Sequence, residues 1–207
     1  IATAATLESN GTIFIAGRAA ADGGALPDVG LVRILADGSF ASFLTFDFSG
    51  GNHDEATDVL MQADGRLLMA VNSRIGGKFV HALARLNADA TPDTSFGSNG
   101  FVTQSFAVGG DFPRALALQG DGRIVSAGYT RTSATQTSEI DDFLVTRHNV
   151  DGSLDASFGN GGKVVVDFFG ASDGASDLAL LPDGRIVVAG SAQTGTRSDL
   201  ALIRVAP

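Results

Sequence analysis

Short apolar runs, many alternating with polar residues at a period of two, recur along this chain, as in FLTFDF (43–48), FVTQSFA (101–107) and KVVVDFF (163–169). They are rich in β-branched and aromatic residues and are broken by Gly at intervals of about 8–12 residues, which predicts strands; no segment competes as a helix. Four stretches superimpose: ATLESNGTIFIAG (5–17), VLMQADGRLLMAV (59–71), LALQGDGRIVSAG (116–128) and LALLPDGRIVVAG (178–190). Each joins two apolar runs through an Asn-Gly or Asp-Gly pair, at Asn10, Asp64, Asp121 or Asp183. Such a pair predicts a β-hairpin closed by a tight primed turn, whose twist suits the strands it joins.

A third run follows each hairpin after a variable connection: LVRI (31–34), LARL (83–86), LVTRH (144–148) and ALIRV (201–205). In the first three copies a fourth, Phe-rich run comes next. The unit is therefore four strands in sequence, with the last copy stopping after its third. Repeated four-stranded antiparallel units of about 40–60 residues predict an all-β fold of the β-propeller type. Burial is the reason: one small sheet cannot cover both its apolar faces, whereas stacked sheets cover each other. The expected organisation is a single domain, 1–207, with four blades at 1–49, 50–108, 109–170 and 171–207. Completion of the ring by further chain or by a second copy is an open alternative, and a sandwich is the competing architecture. Ala16, Ala70, Ala127 and Ala189 occupy one site in the second strand, followed by Gly17, Gly128 and Gly190, with Val71 the exception. Small residues there suit inner strands, and the phenylalanines of the fourth run suit an outer position.

The stretch Arg147-His148-Asn149-Val150-Asp151-Gly152-Ser153-Leu154-Asp155-Ala156-Ser157-Phe158-Gly159-Asn160-Gly161-Gly162-Lys163-Val164, followed by the hairpin at 182–190, resembles the bacterial delta-60 repeat. The second copy matches through Leu86-Asn87-Ala88-Asp89, Ser95-Phe96-Gly97 and Asn99-Gly100, with Ala90 where the turn glycine belongs. The first keeps Asp37-Gly38-Ser39 and lacks the Phe-Gly loop. The resemblance spans nearly the whole chain. It implies a propeller unit of large secreted or surface proteins, and no particular activity.

Composition narrows the functions. Among 207 residues, 14 Lys plus Arg face 23 Asp plus Glu, a net charge of −9, which disfavours nucleic acid and anionic lipid as partners. No apolar run is long enough for a membrane helix. Without cysteine there are no disulfides, thiolate metal sites or cysteine nucleophiles. The chain opens on Ile1 without a basic-then-apolar leader, which suggests a processed form or a piece of something longer.

Three sets of residues are candidates for chemistry. Asp54, Asp111 and Asp173 stand at equivalent places, ten residues before each hairpin turn. Facing a common axis with His53 and Glu55, they would make a ring that draws a cation or cationic ligand; alternatively each accepts backbone N–H bonds at the junction between blades. The turns Asn87-x-Asp89-x-Thr91-x-Asp93 and Asn149-x-Asp151-x-Ser153-x-Asp155 carry an oxygen at every second residue, a spacing that can wrap calcium, although both also read as ordinary Asx turns. Arg33, Arg85 and Arg147 lie four residues before Asp37, Asp89 and Asp151, and pairing with those carboxylates is expected. His53, His81 and His148 sit at unrelated places in the repeat, and there is no Gly-x-Ser-x-Gly elbow.

Two functions follow. One is a non-enzymatic binding or structural module of a secreted or surface protein, with a protein or small ligand held by variable loops at 18–30, 72–79, 129–141 and 191–198. The other is a hydrolase or lyase with a metal at the channel mouth.

Overall fold

The computed structural model describes residues 1–20, 26–50, 52–132 and 140–207, and among these every regular element is a strand. β1 (Ala2–Leu7), β2 (Ile13–Ala19), β3 (Asp28–Ile34) and β4 (Phe40–Phe46) pair in chain order as an antiparallel meander. The order repeats in β5 (Asp54–Met61), β6 (Leu67–Ile75), β7 (Lys78–Leu86) and β8 (Phe101–Gln104). It repeats again in β9 (Gly110–Leu118), β10 (Ile124–Arg131), β11 (Asp141–His148) and β12 (Lys163–Val166). The last sheet has three strands, β13 (Asp173–Leu180), β14 (Ile186–Thr194) and β15 (Arg197–Val205). The sheets form two compact units of two blades each, Ile1–Thr103 and Gln104–Pro207.

The Asx-Gly hairpins form where expected, but with a different turn. In the first, Gly11 N–H donates to the Glu8 carbonyl at 2.9 Å and Glu8 N–H to the Thr12 carbonyl at 2.8 Å. Gly11 has φ of +89°, whereas Asn10 is not in the positive-φ region. A primed turn of either type needs positive φ at its first central residue, which Asn10 would be, so this is a type I turn followed by a left-handed glycine, the bulged alternative. Asp64, Asp121 and Asp183 repeat it with Gly65, Gly122 and Gly184. The Asx side chain has its own role: Asn10 Oδ1 accepts Thr12 N–H at 2.8 Å, and Asp121 Oδ1 accepts Arg123 N–H at 3.0 Å. The turns after the third strands are built the same way, and there Ala90 takes the glycine position with φ of +65°. Because a Cβ is disfavoured in that conformation, Ala90→Gly is expected to stabilise the protein by about 0.5–1 kcal/mol, read as a higher urea midpoint at unchanged slope.

Every first strand carries a bulge beside the Ala-Gly site. Register slips between Ala2 and Ala4, Ala56 and Asp58, Ala127 and Gly128 on the β9–β10 pair, and Ala175 and Asp177. Opposite the slips, Gly17, Gly128 and Gly190 let a backbone carbonyl close in: a Cβ on Gly190 would lie 2.0 Å from the Gly174 oxygen. In the second blade Val71 fills this place, opposite Ala56. The bulge also re-aims its extra residue. Thr3, in the first bulge, donates its hydroxyl to the Ala56 carbonyl of the next blade at 2.6 Å.

Each unit has its own core. In the first, β5 packs against β1, β2 and β3, and alternate residues such as Phe14, Ala16, Leu31, Leu67, Met69, Ala82 and Leu86 are buried together. In the second, β13 packs against β9, β10 and β11 around Val125, Phe143, Val145, Ile186 and Val188. β6 is buried on both faces, since Leu68 and Ala70 are as inaccessible as Leu67 and Met69. β4 exposes Phe40 and Phe43, the mark of an outer strand.

Candidate functional site

Asp54, Asp111 and Asp173 each open the first strand of a blade and are buried. Their partners are backbone N–H groups of the segment leaving the previous blade. Asp54 Oδ2 accepts from Phe48 at 2.8 Å and Ser49 at 3.0 Å, Asp111 Oδ2 from Phe106 at 2.7 Å, and Asp173 Oδ2 from Phe168 at 2.7 Å. A carboxylate thereby latches the segment that leads into each of these blades. Glu55 follows Asp54 on β5, where successive side chains point to opposite faces, and His53 lies just before the strand. Glu55 meets His53 at 3.8 Å and Arg18 at 3.9 Å instead.

Two of the latches belong to larger acidic groups. Asp28, Asp47 and Asp54 bring carboxylate oxygens within 4.8 Å of one another, and so do Asp142, Asp167 and Asp173. The groups are equivalent in the repeat: one Asp at or near the start of the third strand, one just before the latched Phe, and the latch itself. Burial, followed by the Asp47 and Asp54 charges, raises the Asp28 carboxyl above its ordinary range; burial, Asp167 and Asp173 do the same for Asp142. Reading the sequence singled out Asp54 and Asp173 but missed the other four. A signal was available, since Asp28 and Asp142 both lie five residues before the strand arginine, and Asp47 and Asp167 both precede a Phe.

The turn oxygens proposed for calcium are engaged locally. Asp89 accepts the Thr91 N–H at 3.0 Å and hydroxyl at 2.6 Å, and Asp151 accepts the Ser153 N–H at 2.9 Å and hydroxyl at 2.6 Å. Asn87 and Asn149 donate amide N–H groups to Thr91 and Ser153. Asp93 and Asp155 turn inward, and this corrects the expected arginine pairing. Arg85 Nε donates to Asp93 at 2.7 Å and Arg147 Nε to Asp155 at 2.8 Å, eight residues on rather than four. The loop folds back so that Asp93 N–H meets the Arg85 carbonyl at 3.0 Å, which places the two side chains together.

Around each pair a lock is built. The Arg85 guanidinium lies 4.4 Å from the Phe96 ring centre, and Arg147 4.6 Å from Phe158. Arg66 and Arg123, from the hairpin turns, reach the same Asp93 and Asp155 carboxylates at 2.9 and 3.3 Å. Ser95 and Ser157 donate backbone N–H and hydroxyl to them. Gly97 and Gly159 hold φ of +53°, and a Cβ on either would lie under 2.5 Å from a backbone oxygen. The first blade lacks this loop, since Ala41, eight residues after Arg33, is already in β4; the Arg33 guanidinium lies 5.5 Å from the Phe14 ring, and among the described residues its Nε has no hydrogen-bond partner.

The Ser157, then Arg147, hydrogen bonds hold Asp155 down to about 2. For Asp93, burial acts to raise the pKa but the bonds from Ser95, Arg66 and Arg85 outweigh it and drive it far below the carboxylate range. A carboxylate with a depressed folded pKa contributes stability above its unfolded value, about 4, that is lost as pH falls through the folded value. Urea stability is therefore expected to fall between about pH 4 and pH 2, and the slope to flatten in Asp155→Asn.

His148 is buried between the Gly152 carbonyl, 3.1 Å from Nδ1, and the Thr146 hydroxyl, 3.2 Å from Nε2. A carbonyl only accepts, so Nδ1 carries the proton. Burial lowers the pKa of this ring, with the Gly152 bond opposing. Of the variable loops, residues 21–25 and 133–139, within those at 18–30 and 129–141, lie outside the described residues.

A family model described as a domain of unknown function (DUF5122) beta-propeller matches residues 8–40, 62–96, 119–158 and 181–207. The chain belongs to this family. The first three matched segments of this DUF5122 propeller run from the first hairpin turn into the third-strand turn or the Phe-Gly loop, taking in the arginine lock of the second and third blades. Solved structures with similar folds include an exo-1,5-alpha-L-arabinanase from a bovine ruminal metagenomic library, at 14% identity and TM-score 0.48, matching 95% of this chain and 71% of that one. A thermostable family-43 glycoside hydrolase matches at 12% identity and TM-score 0.49, over 94% and 68% of the two chains. A glucose dehydrogenase matches at 13% identity and TM-score 0.39, over 96% and 79%. A comparison with curated proteins finds no match.

Proposed function

We propose that this DUF5122 propeller is a non-enzymatic binding or structural module, its repeat being the delta-60 repeat of secreted or surface bacterial proteins. The observation that carries this reading is the use made of the repeat's polar residues. Arg85, Asp93, Ser95 and Phe96, and their counterparts Arg147, Asp155, Ser157 and Phe158, bond to one another inside their blades. The repeat chemistry thus builds scaffold, and variation is concentrated in the connections between second and third strands. Those are two-residue turns at 76–77 and 195–196 but longer at 20–27 and 132–140. Loops of unequal length on a rigid sheet edge are where a protein or small ligand is most readily accommodated.

The acidic groups favour one competing reading, a metal-dependent hydrolase or lyase. The two readings separate in one experiment. The chain, with and without calcium, is incubated with a panel of polysaccharides, then applied to an array of polysaccharides and surface proteins. A module gives no released sugar and gives binding that disappears when 20–27 and 132–140 are replaced by Gly-Gly turns at unchanged melting temperature. Released sugar, or binding indifferent to both loops, overturns it.

A further inference from the structure

We propose that Asp28, Asp47 and Asp54, and equivalently Asp142, Asp167 and Asp173, form two divalent-cation sites suited to calcium, one at the first-to-second blade junction and one at the third-to-fourth. The inference goes beyond the scaffold reading, which does not require it.

Distance comes first. The three oxygens of each group lie within 4.8 Å of one another. An ion that bonds oxygen at about 2.4 Å can touch two ligands up to about 4.8 Å apart, and calcium takes carboxylates at that length with water completing six to eight ligands. Hydrogen bonding supplies an independent sign. Asp54 is completely buried, its Oδ2 accepts three hydrogen bonds, and its Oδ1 has no partner among the described residues. Asp142, 7% exposed, likewise has an Oδ1 without a hydrogen-bond partner among the described residues. An unmet carboxylate oxygen in a buried setting is costly, and in each group it belongs to a member of a three-carboxylate cluster. A cation would satisfy it and offset the repulsion among three carboxylates held within 4.8 Å of one another.

Asp111 provides an internal control. The positions corresponding in sequence to Asp28 and Asp47 are Val80 and Ser105, neither of them acidic. The second Asp111 oxygen accepts the Thr130 hydroxyl at 2.6 Å. Where the cluster is missing, the latch is completed by a neutral donor. The Asp111 latch thus forms without the acids, which argues that they serve something other than closing the sheet.

The test is calorimetric titration of the chelator-treated full chain with calcium chloride, alongside melting curves. The expected result is two calcium ions per chain, one in Asp28→Asn, one in Asp142→Asn and none in the double variant. Calcium at about 10 mM should raise the wild-type melting temperature by about 5 °C or more and leave the double variant unmoved. Without calcium, each Asn variant should melt at or above the wild type because repulsion is relieved. No calcium binding by the wild type, response to magnesium alone, or stoichiometry unchanged in the double variant would overturn the proposal. So would calcium-free Asn variants that melt lower while binding the ion normally, because that pattern belongs to purely structural carboxylates.

Discussion

Asp93→Ala is expected to cost about 3–5 kcal/mol of unfolding free energy, because it leaves the Arg85 guanidinium charged inside the second blade without its partner. Arg85 is 2% exposed, so water cannot replace the carboxylate. The same substitution four residues earlier, Asp89→Ala, removes bonds in an exposed turn and should cost only about 1 kcal/mol. Urea denaturation of the two variants gives the comparison directly. Replacing the pair together, as Arg85→Met with Asp93→Leu, should recover much of the loss, since a buried ion pair is itself expensive to desolvate. Similar small losses at Asp89 and Asp93 would mean that Arg85 is not held as described.

Phe158→Ala is the second large effect, about 3–5 kcal/mol in the third blade. Phe158 is 2% exposed, packs in the core of its unit, and presents its face to Arg147. Phe158→Leu retains much of the apolar volume and loses the cation–π contact, so it should cost about 1–2 kcal/mol. Asp155→Ala and Phe158→Ala both act on Arg147, and the double variant should lose less than the sum of the singles. Additive losses would show that ring and carboxylate act independently.

These effects lie in parts of the repeat that are visible in the sequence to different degrees. The hairpins and their spacing are legible because Asx-Gly between apolar runs has few other structural uses. The turn type is not, since an Asp side chain capping the N–H two residues on and a left-handed glycine produce the same letters as a primed turn. The partner of Arg85 was misplaced because spacing favours Asp89, whereas the return of the chain at Asp93 depends on Pro92, Gly97 and Gly100 bending the loop back. The latch role of Asp54, Asp111 and Asp173 was one of two readings open from sequence, as their positions at blade junctions suggest. Their companions Asp28, Asp47, Asp142 and Asp167 are separated in sequence and approach only when third strand, fourth strand and next blade are assembled. Periodicity within a strand carries no information about that meeting.

The central claim is that the repeated carboxylates are built into the blade junctions as acceptors of backbone N–H groups, and amide hydrogen exchange tests it residue by residue. Phe106 and Phe168 follow short outer strands, in segments that would ordinarily exchange within seconds. Their N–H groups bond to buried Asp111 and Asp173, so they should be protected nearly as strongly as Val125 and Val188 in the central strands of their sheets. Protection should collapse at Phe106 in Asp111→Ala, with Phe168 unaffected. Rapid exchange at both amides in the wild type would contradict the account.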